Sequence, residues 1–81
     1  MSLHLDLRHL PPPEPMERIL DAVTALAPGE SIDALTPCWP APLLPILEAQ
    51  GCAWRREPAA DGHARILIFL REDAERFSAA A

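Results

Sequence analysis

The chain has 81 residues, 49% hydrophobic and 23% charged, a composition that fits one small globular domain rather than a disordered segment. Its net charge is −5, and all seven basic residues are arginine. An acidic surface disfavours nucleic acid as a partner, and the lack of lysine removes Schiff-base chemistry and the phosphate-gripping lysine of a P-loop.

Leu3, Leu5 and Leu7 alternate with His4 and Asp6, the period-two pattern of a half-buried strand. Pro11, Pro12, Pro13 and Pro15 end it. Met16, Ile19, Leu20, Val23, Leu26 and Ala27 then recur at helical spacing, which predicts an amphipathic helix over 13–27 with Glu14 and Glu17 well placed in its first turn. Pro28-Gly29 stops it. Ile32, Ala34 and Leu35 predict a second strand over 30–36. A second cluster, Pro37, Pro40, Pro42 and Pro45, leads into a short helix from Leu43 to Gln50, in which Pro45 fits only near the first turn. Residues 52–58 predict a third strand, Ala59-Ala60-Asp61-Gly62 a turn, and residues 63–71 a fourth strand with the best β pattern in the chain. Residues 72–81 read as a tail, either a frayed helix or disordered. The order βαβαββ predicts an α+β fold over residues 1–71. Two right-handed βα units and a terminal hairpin place two helices on one face of a four-stranded mixed sheet.

No apolar run approaches the ~20 residues that span a bilayer, and MSLHLDL lacks the basic and apolar regions of a signal peptide. The expected compartment is the cytoplasm, with no membrane partner, and there Cys38 and Cys52 stay free thiols. No CxxC or HExxH spacing is present, so no cofactor is expected and no catalytic residue is assigned.

The string LDLRHLPPPEPMERIL resembles the start of the TusA/SirA family of small sulfur carriers, in which a strand leads through Gly-Leu-x-Cys-Pro-x-Pro into a helix. Leu10 matches the Leu, Pro13 and Pro15 match the prolines, and Ala27-Pro28-Gly29-Glu30 is similar to the family's helix-to-strand turn. The resemblance covers roughly residues 3–71 and implies the two-layer βαβαββ sandwich that the periodicity reaches independently. Pro12 stands where the resemblance places the sulfur-carrying cysteine, and His9 where it places the glycine. The chain more closely resembles a sister branch of unknown function with an LPPPE-type loop. Members of that branch often carry Asp-His-x-Pro before the second helix, where this chain has Pro37-Cys38-Trp39-Pro40.

Four features remain as candidate sites. Cys38, just before the second helix, is either a relocated sulfur or redox thiol or a small packed loop residue. Cys52 reads as packing. His4, Asp6 and His9 could hold zinc or copper, since His4 and Asp6 share a strand face about 7 Å apart, or could simply line a solvated face; His63 is expected to be exposed. Arg55, Arg56, Arg65 and Arg71 form either an anion-binding patch or edge charges paired with Glu57 and Glu72. If Ile66, Ile68 and Leu70 face the helices, then Arg65, Leu67, Phe69 and Arg71 occupy the uncovered face. That face offers a partner or a homodimer a contact, unless Phe77 folds back over it. The leading expectation is a non-catalytic binding domain. Its alternatives are a sulfur-relay or thiol-redox protein using Cys38 and, third, a metal-associated accessory domain.

The prolines before the first helix remove backbone donors that would hold an anion there, and Glu14 and Glu17 add negative charge. A Pro12→Cys thiol should therefore titrate no lower than an ordinary cysteine, about 8.5. The check is alkylation rate against pH.

Overall fold

A computed structural model describes residues 2–59 and 62–78. Strand β1 is Ser2–Asp6, helix α1 Glu14–Thr24, β2 Ser31–Thr36, α2 Leu43–Ala49, β3 Cys52–Glu57 and β4 Ala64–Leu70. A 3₁₀ turn over Arg71–Asp73 and a short helix α3, Ala74–Ser78, follow. The four strands form one sheet in the order β1-β2-β4-β3. β1 runs parallel to β2, while β4 pairs antiparallel with both β2 and β3. This is the mixed sheet that the element order predicts. The Asp61-Gly62 turn falls partly on residues 60–61, outside the described residues, and Gly62 takes a positive φ of 73°.

Period two sorts the side chains. Ile32, Ala34, Ile66, Ile68 and Cys52 face the helices and, with Ile19, Val23, Leu43 and Leu47, make a buried core. β2 is central and buried along almost its whole length, whereas Leu3 on the edge strand β1 stays 48% exposed. Trp54, whose direction the alternation alone leaves open, joins the helix side opposite Ile68.

α1 is shorter than its periodicity predicts. The N–H groups of Ala25 and Leu26 donate to the carbonyls of Ala22 and Val23, a tightened last turn that closes the helix while Leu26 still packs on the core. The Glu30 carboxylate accepts from the Ala27 N–H at 2.9 Å, and Gly29 turns the chain at φ +83°, a conformation that suits glycine. α2 begins at Leu43, so Pro45 lies in its first turn, where no helical hydrogen bond is lost.

The tail after β4 does not extend away. Arg71 N–H donates to the Gly51 carbonyl at 2.9 Å, and the segment crosses to the sheet face opposite α1 and α2. There Phe77 stacks on Phe69 with ring centroids 5.3 Å apart. Residues 79–81 lie outside the described residues.

Ile68 is fully buried between its register partners Ile32 and Trp54. Ile68→Ala should cost about 2–5 kcal/mol, the range for deleting a core aliphatic side chain. Urea unfolding should show the midpoint falling with the slope unchanged.

Candidate functional site

β1 and β2 are parallel neighbours, so both end at the same edge of the sheet. The two proline clusters follow these ends directly and meet there. Pro12, Pro13, Pro15 and Met16 form one wall of an apolar groove. Pro37, Cys38, Trp39, Pro40 and Pro42 form the other, above Thr36. Its volume is about 200 Å³. That is below the ~300–1,000 Å³ typical of small-molecule pockets.

The groove is held in shape from beneath. The buried Thr36 hydroxyl donates to the Cys38 carbonyl at 2.7 Å. Trp39 meets Trp54 edge to face, centroids 5.9 Å apart, and the Arg56 guanidinium lies 4.6 Å from the Trp39 ring centroid. With proline φ angles already fixed, both walls have little backbone freedom. Cys38 is exposed and shares this groove with Pro12. The start of α1 offers few free donors: Glu14 and Glu17 N–H already donate to the carbonyls of Pro11 and Pro13, and Pro15 has none.

The other sheet face carries three cross-strand rows. Ser2, Ser31, Phe69 and Ala53 form the first; His4, Asp33, Leu67 and Arg55 the second; Asp6, Leu35, Arg65 and Glu57 the third. Asp33 is 8% exposed and receives Arg65 Nε on Oδ1 at 2.8 Å and Nη2 on Oδ2 at 2.5 Å. His4 Nδ1 lies 3.4 Å from Asp33 Oδ2. The hydrogen-bonded Arg65 holds the Asp33 carboxyl below the usual carboxylate range, against the opposing effect of burial. Asp33 in turn raises Arg65. A cavity of about 400 Å³ opens here, bordered by His4, Asp6, Arg8, Asp33, His63 and Arg65.

The metal reading does not survive this geometry. Arg8 takes both carboxylate oxygens of Asp6, at 2.8 and 2.7 Å, and pulls its pKa down to about 2, while His4 turns toward Asp33. Among the described residues no group of three His, Cys, Asp or Glu side chains could hold a metal, so His4, Asp6 and His9 do not form a site.

The expected apolar patch is also altered. Phe69 is only 2% exposed beneath Phe77, and Leu67 is half-buried. Arg71 leaves the face altogether: the strand ends at Leu70, and its Nη2 donates to the Glu48 carbonyl on α2 at 2.9 Å. Arg65 pairs with Asp33, and Arg55 with Glu57 at 2.6 Å. His63 is exposed. Cys52 is buried at the start of β3, and burial pushes its thiol up.

A family model described as "Uncharacterized conserved protein (DUF2249)" matches residues 4–69. The chain belongs to that family. The matched stretch of DUF2249 holds both proline loops and stops before the 3₁₀ turn and α3. No curated protein and no solved structure matched the chain. Among the described residues no helix is long and apolar enough to cross a membrane.

Sequence reading missed Asp33 and the Trp39–Arg56 contact. The signal for Asp33 is present: it is a carboxylate within an otherwise apolar strand pattern, which calls for a cation in hydrogen-bonding contact. Because the folded carboxyl is held below its unfolded value near 3.9, the contribution of the pair is complete above that pH and is lost as the pH falls through the folded value. Asp33→Asn should cost about 1–3 kcal/mol at neutral pH, the loss expected for hydrogen bonds to a charged group with Arg65 still half in water. It should also flatten the acid limb of the stability profile below about pH 4, read by urea midpoints against pH.

Proposed function

We propose that this chain is a small non-catalytic binding domain of the TusA-like fold, working in the cytoplasm, and that the proline-walled groove seats an apolar segment of a protein partner. The observation that carries this reading is the groove itself: eight of its ten bordering residues are Pro, Met or Trp, and they sit at the shared end of the two parallel strands. Its small volume favours side chains over a free metabolite. The charges of the larger cavity on the other face are already satisfied by Arg65–Asp33 and Arg8–Asp6, which leaves less there for an ionic ligand to gain. Two free cysteines, Cys38 and Cys52, suit a reducing compartment.

A second reading rests on one observation, that exposed Cys38 borders the same groove as Pro12. In it, the Cys38 thiolate attacks the outer sulfur of a persulfide donor; the new S–S bond forms as the donor's own S–S bond breaks, and the donor leaves as a thiolate that carries the electron pair. The chain would then serve a relay from the second loop rather than the first.

A photo-cross-linking residue in place of Pro40 should give a discrete protein adduct in cells, and the same residue in place of exposed Asp21 on α1 should not. Pro42→Asp should reduce the adduct about ten-fold or more, because the partner would then cover an unpaired charge worth ~1.4 kcal/mol or above. Aspartate is a good N-cap, so the start of α2 should persist. Equal adducts from Pro40 and Asp21 would defeat the groove. Wild-type protein that gains one sulfur atom at Cys38 and passes it to an acceptor would replace binding with relay.

A further inference from the structure

The sheet face away from α1 and α2 has an occupant of its own, the 3₁₀ turn and α3. Beyond the Arg71 bonds to Gly51 and Glu48, three contacts of different kinds tie it to the sheet and to the turn before β2. The Phe77 ring stacks on Phe69 at 28° between planes. An Arg55 guanidinium N–H donates to the Phe77 carbonyl. The Gly29 N–H donates to the Asp73 carboxylate at 2.8 Å. Asp73 closes the 3₁₀ turn and Phe77 lies four residues on in α3, so the continuous 3₁₀–α3 segment delivers both.

α3 has five residues, far below the ~12–15 at which an isolated helix becomes even marginally stable in water. It stays helical only because it is docked. A one-turn helix on the surface, unable to persist alone, opens at lower free energy than the core beneath it. Opening would expose Phe69, flanked by Ala53, Ser31 and Leu67, with Arg55 beside it, next to the edge strand β3. All of these residues lie inside the stretch matched by DUF2249, 4–69, whereas Asp73 and Phe77 lie outside it.

We propose that this face is a second docking surface, independent of the proline groove, and that the C-terminal segment is its intramolecular competitor. The partner it fits is a helical protein segment with an acidic residue and an aromatic residue four positions later. The carboxylate takes the Gly29 N–H, the ring covers Phe69, and a carbonyl at the helix end accepts from Arg55. The tether is short, so the resident segment acts at an effective concentration of roughly millimolar. A longer helix with more contacts displaces it, and an isolated copy of the segment does not do so readily.

The test uses the full chain and the synthetic peptide Arg-Glu-Asp-Ala-Glu-Arg-Phe-Ser, identical to residues 71–78. Titrated at millimolar concentration, it should shift the NMR resonances of Gly29, Arg55 and Phe69 in Phe77→Ala. It should bind wild type at least about ten-fold more weakly, since the open form is then the minor one. The peptide with Phe replaced by Ala should do nothing. Asp73→Ala, which keeps Phe77 and removes only the acceptor of the Gly29 N–H, guards against a folding defect and should show intermediate affinity. Equal affinity for wild type and variants, or none for either variant, overturns the proposal. Self-association of Phe77→Ala without peptide uptake overturns it in favour of a homodimer face.

Discussion

The parallel pairing of β1 with β2 is the constraint on which the rest of the molecule depends. Two parallel strands cannot be joined by a tight turn, so α1 must cross the sheet between them, and both strands must then leave at the same edge. The loops that leave there are the two proline clusters. Neither cluster makes a groove alone. Pairing in register from Ser2 with Ser31 to Asp6 with Leu35 brings Pro12 and Pro13 opposite Pro37 and Trp39. An antiparallel arrangement of the same strands would have sent the clusters to opposite ends.

The two faces of β2 show how one strand serves two chemistries. Ile32 and Ala34 complete the apolar layer under the helices, and Asp33 between them points the other way. A carboxylate at 8% exposure is tolerable only with a cation in hydrogen-bonding contact, and Arg65 supplies it across the β2–β4 ladder. The result is a sheet face whose charge is spent internally: Asp33 on Arg65, Asp6 on Arg8, Glu57 on Arg55. That self-neutralisation separates the face from an anion-binding patch of the same arginines.

Much of the fold was legible because its signals are local. Period-two runs and the i, i+3, i+4 recurrence of Met16 to Leu26 fix strands and helices whatever their neighbours are. The order of strands in the sheet is not local, so the alternation pattern offers the arginine set Glu57 and Glu72 as partners and does not point to Asp33. The same reason undid the metal set: His4 and Asp6 do share a face, but Asp33 and Arg8 reach them first. A five-residue helix carries no readable period, so the course of residues 74–78 remained one of several alternatives. The proline groove was legible in its residues and not in its shape, since cross-sheet proximity joins the two clusters.

Trp39 and Trp54 are the only tryptophans, and the chain has no tyrosine. Because the two indoles touch at one corner of the molecule, with Arg56 lying over one of them, nearly all ultraviolet-excited emission originates from a single spot beside the groove. The native chain thus carries a built-in optical gauge for that corner. The opposite face of the sheet, where phenylalanine is the sole aromatic residue, is silent to the same light.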